Sequence, residues 1–239
     1  MVDPFSEKNG FNPTGDSVYS NAFQDRYFRA QADRMNNLIS KALDIKRRMA
    51  EGTYQPADED SFVFYRNSAR LSDVSRGVHL GTLNLAKLLK NNGTIVTQVV
   101  NSVRISDPGN READQLVGSG NGAGVKELRI TSFLTANAIR STHSLDGIDW
   151  CSANDTTICA IREIHVPVLI AAMGAHYFIR DNEQLFENGA MADKDFIVIE
   201  GATHGGAGCT ECSAVTGVDY SNARKNIYDY VAAWANARF

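Results

Sequence analysis

Residues 166–206 read VPVLIAAMGAHYFIRDNEQLFENGAMADKDFIVIEGATHGG, and this stretch decides the fold. Two apolar runs, 166–173 and 195–200, have the length of buried strands, and residues 181–192 between them predict a helix. A strand, a helix and a second strand joined by short connections form a β-α-β unit, whose two strands pair in parallel through a right-handed crossover. The sequence therefore predicts an α/β fold with a parallel pair of strands.

The second of these strands is followed by a histidine between glycines, in the segment Gly201-Ala202-Thr203-His204-Gly205-Gly206. Glycine allows the backbone to turn sharply and to approach other groups closely. In open α/β sheets the chemistry lies beyond the carboxyl ends of the strands, which is where His204 is expected. The segment fits two interpretations, a catalytic base presented on a loop and a histidine in an ordinary turn.

The first 52 residues predict a turn-rich lead-in followed by one long amphipathic helix. Apolar side chains recur every three or four residues between Ser20, the expected N-cap, and about Glu51, and Gly52 is a natural stop. A stripe of this width packs on a sheet or on another helix. We interpret it as part of the core.

Residues 53–145 break into short pieces, and we expect them to form a cap-like insertion. The patterns in this region predict a strand at 61–65, a helix at 80–90, a strand at 94–105 and a loop at 107–124. The loop contains Gly118, Gly120 and Ala123 in the spacing of a dinucleotide-binding motif. Because no apolar strand precedes that motif and no apolar helix follows it, a flexible surface loop is the better interpretation.

Residues 146–239 form the third predicted region, which holds the β-α-β unit and the histidine segment. We expect a closing helix from about Ser221, whose apolar face covers the sheet. That face is formed by Ile227, Tyr230, Val231 and Trp234.

Composition restricts the classes of function. The formal net charge of −4 argues against a dedicated nucleic-acid binder, and the one dense basic run, Lys46-Arg47-Arg48, is expected on a solvated helix face. No apolar run approaches the roughly 20 residues that a membrane helix needs. The polar start of the chain does not resemble a signal peptide. Two Asn-x-Thr sequons, at Asn92 and Asn154, are compatible with secretion. We expect no membrane partner and no cofactor.

Four cysteines suggest disulfides or buried thiols rather than a metal site. Zinc ribbons use two tight cysteine pairs, whereas Cys151 and Cys159 are too far apart in sequence for that pattern. The pair Cys209 and Cys212 has redox-motif spacing, but its surroundings are rich in Gly, Ser and Thr and predict a loop rather than the start of a helix. We therefore expect no metal, and the choice between disulfides and free thiols stays open.

The stretch quoted above resembles the last β-α-β unit and histidine loop of the α/β-hydrolase fold. The lead-in at 2–39, VDPFSEKNGFNPTGDSVYSNAFQDRYFRAQADRMNNLI, and DGIDW at 146–150 are similar to segments of uncharacterised bacterial and fungal α/β hydrolases. In that fold a Ser, an Asp or Glu, and a His form a triad in this chain order. The resemblance implies that His204 is the base of the triad.

The nucleophile of the triad is not found in this sequence. A nucleophile elbow has the pattern Gly-x-Ser-x-Gly, which exposes the serine hydroxyl above the sheet. Glycine pairs at that spacing enclose His79, Gly120, Gly122 and Thr203, and none of these is Ser or Cys. We therefore expect this chain to correspond to the C-terminal portion of a hydrolase, and to be inactive alone.

The acid of the triad has three candidates under the resemblance. Glu183 and Asp181 lie near the start of the predicted helix, and Asp149 precedes Trp150. A carboxylate at a helix N-terminus also balances the helix dipole without any catalytic role. We rank Glu183 first and expect one of the three to contact His204. His176 fits either a substrate contact or a structural role.

Two functions from different classes follow from these observations. The first is the C-terminal part of a serine hydrolase that cleaves small-molecule esters. The alternative is a non-catalytic binding or interaction protein that retains a partial hydrolase fold. An incomplete sheet exposes an edge, so we also expect self-association or a partner chain that covers it.

Overall fold

The chain forms two compact units in a computed structural model. One unit contains Met1–Thr14, Val18–Arg70 and Pro108–Cys159, and the other contains Gly15–Ser17, Leu71–Asp107 and Ala160–Phe239. The division by contacts does not follow chain order, and the three-part division predicted from the sequence stays a prediction. The structure describes residues 2–54, 60–65, 75, 77, 80–84, 86–106, 125–136, 138–144, 146–153, 156–176 and 178–239.

Helices and strands alternate along much of the chain. In chain order they are α1 (Asn21–Ala50), β1 (Ser61–Tyr65), β2 (Lys87–Leu89), β3 (Ile95–Thr97), β4 (Val125–Arg129), α2 (Ile130–Ala136), β5 (Arg140–Ser141), β6 (Ile148–Asp149), α3 (Thr157–Ala160), β7 (Val168–Met173), α4 (Ile179–Asn188), β8 (Lys194–Ile199), α5 (Thr210–Thr216) and α6 (Ala223–Asn236). Short 3-10 turns occur at Glu7–Asn9, Trp150–Ser152 and Ile161–Glu163.

The first unit is built on the long helix that the sequence predicts. The Ser20 hydroxyl caps α1 by accepting a hydrogen bond from the Phe23 backbone N–H at 3.2 Å, which satisfies one of the free donors of the first turn. Strands β1 and β4 pair antiparallel, which confirms the strand predicted at 61–65. The core of this unit contains Ile39, Ala42, Ile45, Phe62, Ile130, Phe133 and Ala138.

The second unit contains a four-stranded sheet in the order β3-β2-β8-β7. Strand β8 pairs in parallel with β2 and with β7, whereas β3 pairs antiparallel with β2. The parallel pairing of β7 and β8 around α4 confirms the predicted mixed α/β class and the β-α-β unit. The parallel strands bring the segments after β7 and β8 to the same edge of the sheet.

Side chains of β8 alternate between two buried faces, as they must in a strand with period two. Phe196 and Val198 join a core with Ile170 and Ile179, the latter from α4. Ile197 and Ile199 point to the opposite face, where they pack with Ala223 of α6 and its neighbours. A strand that is buried on both faces reads as a continuous apolar run, which explains why the sequence identified it.

Of two predictions in the middle of the chain, one is wrong and the other is confirmed only in part. The helix predicted at Leu80–Lys90 is replaced by β2, because Leu88 and Leu89 are buried on opposite faces of the sheet beside β8. The strand predicted at Thr94–Ile105 is short, since only Ile95–Thr97 pairs with β2. Tertiary pairing overrides local propensity in both cases. The glycine-rich loop predicted at 107–124 lies outside the described residues.

The closing helix α6 agrees with the prediction in part. Ile227 and Tyr230 pack against the sheet as expected. Val231, predicted on the same face, is 40% exposed. The exposed position follows from helical geometry, because consecutive residues point about 100° apart and Tyr230 already faces the sheet.

Candidate functional site

The backbone between β8 and α5 forms a closed loop that carries His204. We call residues 202–208 the histidine loop. Its two ends meet in a bridge between Ala202 and Gly208. Inside it, the Thr203 N–H donates to the Ala207 carbonyl at 2.8 Å, and the Gly206 N–H donates to the Thr203 carbonyl at 2.8 Å. The loop is therefore ordered by its own backbone bonds.

The glycine before the loop is required by its surroundings. Gly201 has a φ of +61°, in the left-handed region that L-residues with a side chain rarely adopt. A Cβ atom placed there would lie 2.0 Å from the Tyr220 ring. The chain can turn away from β8 at this point only because residue 201 has no side chain. This glycine therefore determines where the histidine loop lies.

A disulfide lies directly after the loop, at the start of α5. Cys209 and Cys212 are bonded, and the Cys209 sulfur accepts a hydrogen bond from the Cys212 N–H at 3.1 Å. The pair is buried beside Ala175 and Tyr220. The prediction that Cys209 and Cys212 lie in a loop is wrong, because they open a helix. Cys151 and Cys159 are also bonded. Of the two possibilities that the sequence left open, disulfides or free thiols, the structure has disulfides.

His204 is exposed and lies beside a second histidine. The ring centroids of His204 and His176 are 4.7 Å apart, with an angle of 34° between the ring planes. His176 belongs to the turn after β7, which is joined to the histidine loop by a 2.8 Å bond from the Ala175 N–H to the Ala202 carbonyl. The parallel pairing thus brings together two imidazoles that are 28 residues apart in the sequence.

Glu183, the first-ranked acid, is engaged elsewhere in the second unit. Its side chain is fully buried. The Thr82 N–H donates to both carboxylate oxygens at 3.0 Å, and the Leu83 N–H donates to one at 3.2 Å. The Thr82 hydroxyl donates at 3.0 Å and the Arg180 guanidinium at 3.2 Å. We call this group, Glu183 with Thr82, Leu83 and Arg180, the Glu183 anchor.

The predicted contact between His204 and one of the acids does not form where the structure allows it to be checked. Across the described ranges no hydrogen bond or ion pair links His204 to Glu183 or Asp181. Asp181 is half-buried in the first turn of α4. Asp149 is exposed at the end of β6, in the other unit. The catalytic roles of these residues stay predictions.

A charged network that the sequence does not predict lies at the opposite end of the same sheet, where the parallel strands begin. The Asp195 carboxylate accepts from the Lys87 ammonium at 2.6 Å and from the Tyr230 hydroxyl at 2.5 Å. The Asp195 side chain is beside an apolar cavity of about 390 Å³ lined by Leu83, Phe186 and Phe196. Charged residues at the start of a strand, such as Lys87 and Asp195, show no sequence pattern that distinguishes them from charged residues exposed to solvent.

The network shifts the pKa of its acidic members in opposite directions. Burial raises the pKa of the Asp195 carboxyl, but hydrogen bonds from Lys87 and Tyr230 outweigh it and hold that pKa below the usual range. Burial, followed by the hydrogen bond to Asp195, raises the pKa of the Tyr230 hydroxyl. The proton is therefore held on Tyr230, and the negative charge on Asp195.

The described part of the chain offers no group of three His, Cys, Asp or Glu side chains arranged to hold a metal. Nor does it contain a helix long and apolar enough to cross a membrane. The chain matches no protein-family model, no curated protein and no solved structure.

Proposed function

We propose that this chain is the C-terminal part of an ester-cleaving serine hydrolase of the α/β-hydrolase type. His204 is the base, and the serine lies outside residues 1–239. One observation carries the proposal: His204 is exposed on a closed loop directly after a parallel strand. This is the edge at which open α/β sheets place their chemistry. An imidazole without a hydrogen-bond partner in the described part of the chain is able to accept a proton.

The chemistry asked of His204 is the transfer of one proton in two directions. The imidazole takes the proton of the serine hydroxyl as the serine attacks the ester carbonyl, and it returns a proton to the leaving alcohol. His176, 4.7 Å away between ring centroids, fits either a substrate contact or a structural role in this proposal. Because Glu183 is engaged by the anchor, Asp181, the other candidate acid in the same unit as His204, is the acid to test first.

The test uses the protein as its source cells make it. Native protein captured with an antibody against α6 is treated with a fluorophosphonate, and the labelled serine is located by mass spectrometry. The proposal expects one labelled serine outside residues 1–239. In the expressed full reading frame, His204→Ala lowers kcat/KM for a p-nitrophenyl ester by at least about 1,000-fold, as loss of a triad base does.

A matched control comes from the other end of the sheet. His165 is exposed like His204, but it precedes β7 rather than following a strand. His165→Ala should leave the ester-cleaving rate unchanged. Equal losses from both variants, or a labelled serine whose rate does not depend on His204, would remove the proposed role of the base.

A specific observation favours the alternative, a non-catalytic binding or interaction protein. In the described part of the chain His204 has no carboxylate partner. No Gly-x-x-x-Gly segment of the sequence has a serine at its centre, so the pattern of a nucleophile elbow is missing. Native protein that shows no labelled serine and no ester cleavage, yet retains a folded second unit, would support this alternative over the hydrolase.

Self-association or a partner chain is the proposal that remains for interactions. In the described part of the chain no strand pairs with the outer edge of β7 or β3, and open edges are templates for pairing with other chains. Sedimentation velocity over a range of protein concentrations tests this expectation. The expectation would be contradicted by a protein that is monomeric at every concentration and that captures no partner protein from an extract of its source cells.

A further inference from the structure

A hairpin connects β2 to β3 and carries one of the two sequons. The turn is closed by the Lys90 N–H, which donates to the Thr94 carbonyl at 2.8 Å, and by the Gly93 N–H, which donates to the Lys90 carbonyl at 2.9 Å. Gly93 occupies the left-handed position with a φ of +84°. Asn92, Gly93 and Thr94 are all exposed. The complete sequon is therefore presented to solvent at the tip of the hairpin.

The two side chains that define the sequon are oriented by each other. The Asn92 carbonyl oxygen Oδ1 accepts a hydrogen bond from the Thr94 hydroxyl at 2.7 Å and another from the Thr94 N–H at 3.0 Å. Its amide nitrogen Nδ2 has no hydrogen bond within the described ranges. The Thr94 hydroxyl therefore polarises the acceptor amide, and the nitrogen that would be modified is left open to solvent.

The neighbouring asparagine shows what an occupied amide looks like. The Asn91 Nδ2 donates to the Asp219 carboxylate at 3.0 Å, and the Asn91 Oδ1 accepts from the Asn222 N–H at 2.8 Å. Asn91 therefore ties the hairpin to the start of α6, while Asn92 makes no such contact. The hairpin holds its position through Asn91, so a group added at Asn92 leaves these contacts intact.

The cysteines indicate a compartment in which such a modification takes place. All four cysteines of the chain are paired in disulfides. Disulfides persist in oxidising environments such as the endoplasmic reticulum and the extracellular space. N-glycosylation of Asn-x-Ser/Thr segments belongs to secreted proteins and to surface loops. Cysteine pairing and sequon exposure are independent observations that agree.

We propose that Asn92 is an N-glycosylation site. The co-reactant is a lipid-diphosphate-linked oligosaccharide. The Asn92 Nδ2 forms a bond to the anomeric carbon of the first sugar, while the bond between that carbon and the phosphate oxygen breaks; the lipid diphosphate leaves and takes up the proton that Nδ2 loses. No oxidation or reduction occurs. The second sequon, at Asn154, lies outside the described residues and is not needed for this inference.

A glycan at this position would protect the edge of the sheet. Strand β3 follows the sequon directly, and its Ile95 and Val96 are 47% and 37% exposed. Edge strands with apolar side chains invite pairing with other chains, and natural proteins cover or charge them. A bulky, hydrophilic glycan at the hairpin tip is expected to reduce that pairing.

The test is secretion of residues 1–239 from a eukaryotic cell behind a cleavable signal peptide, with a reference sequon in a C-terminal tag. Peptide mapping and intact mass, before and after a peptide N-glycosidase, report which sites carry glycan. We expect Asn92 to be occupied in most molecules. Asn92→Gln and Thr94→Ala should each lose one glycan, and Thr94→Ser should keep it, because Ser retains the hydroxyl.

Translation in vitro with microsomes gives a second readout that does not depend on secretion of a folded product. There, a mobility shift that is reversed by the glycosidase and absent from Asn92→Gln supports the proposal. Unmodified Asn92 beside an occupied reference sequon, in either system, would overturn it. So would a glycan mass that Asn92→Gln and Thr94→Ala leave unchanged.

Discussion

Glu183 and His204 belong to the same unit, and the sequence singles out both, yet their side chains are in opposite environments. The Glu183 carboxylate is fully buried and accepts bonds from two backbone N–H groups, a hydroxyl and a guanidinium. The His204 imidazole is exposed and lies against another histidine ring, with no hydrogen bond to any residue that the structure describes. A buried carboxylate with several hydrogen bonds stabilises the fold, whereas an exposed imidazole is accessible to a ligand.

The physical basis of this difference is desolvation. A buried charge is tolerated only when partners replace its water, so every bond to Glu183 is needed by the fold. An exposed imidazole keeps its water, so the fold gains little from it and loses little without it. Removal of Glu183 should therefore reduce stability, and removal of His204 should leave it nearly unchanged.

The largest effect is expected from Glu183→Ala. The variant removes the acceptor of the Thr82 and Leu83 N–H groups and the buried partner of Arg180, and loss of one partner of a buried pair costs about 3–5 kcal/mol. Urea unfolding followed by circular dichroism measures the change in the free energy of unfolding. Glu187→Ala is the control, because Glu187 pairs with the same Arg180 but is 39% exposed, and exposed pairs contribute less than about 1 kcal/mol. Equal losses would contradict the comparison.

The second effect tests the backbone of the histidine loop. Gly201→Ala places a methyl group against the Tyr220 ring at a positive φ, and we expect a loss of about 2–4 kcal/mol from overpacking and left-handed strain together. Gly205→Ala is the matched control, because a Cβ there meets nothing within 4 Å. Thermal unfolding of both variants measures the difference. A Gly201→Ala protein as stable as wild type would show that the contact with Tyr220 does not fix the start of the loop.

The third effect concerns the network at the other edge of the sheet. Tyr230→Phe removes the bond to Asp195, and a hydrogen bond to a charged group contributes about 1.5 kcal/mol at the low end of its range. Because the pKa of Tyr230 is raised in the folded protein, this stability is fully present below the unfolded value of about 10 and is lost as the pH rises above it.

Urea unfolding between pH 8 and the alkaline limit of folding measures this pH dependence in both proteins. The difference in stability between wild type and Tyr230→Phe should shrink above a pH of about 10. The lowered pKa of Asp195 acts at the other end, because its contribution is present above about 3.9 and lost as the pH falls through the folded value. A constant difference across the alkaline range would contradict the role of Tyr230.

The smallest effect on stability is expected from His204→Ala. An exposed residue without hydrogen bonds in the described part of the chain contributes less than about 0.5 kcal/mol. Urea unfolding should therefore place this variant beside wild type, even if the full reading frame loses its ester cleavage. A loss comparable to that of Glu183→Ala would show that His204 is structural and would weaken the proposed role of the base.

Much of the second unit could be predicted because its signals are local. Strand β8 is buried on both faces, so its apolar run is visible without any knowledge of its neighbours. Strand β2 was missed because its three residues, Lys87–Leu89, are too short to show a period. Only pairing with β8 makes them a strand rather than a helix.

The candidate site was predicted in part for the same reason. His204 follows a recognisable strand, so its place at the carboxyl edge could be predicted from the order of elements. Two partners of Glu183, Thr82 and Leu83, are about a hundred residues away in sequence, and no spacing rule connects them to Glu183. The ranking of Glu183 as the acid therefore relied on chain position alone, and the anchor could not be foreseen.

The sequence by itself determined the long capped helix, the β-α-β unit and the glycine-bounded histidine, because caps, periodicity and turn residues act over a few positions. Tertiary structure alone decided which polar side chains are buried with hydrogen-bond partners and which are exposed. It also brought His176 beside His204, and it placed Cys209 and Cys212 at the start of a helix. Burial and long-range pairing set these outcomes, since a side chain's solvation depends on neighbours that the chain supplies from distant segments.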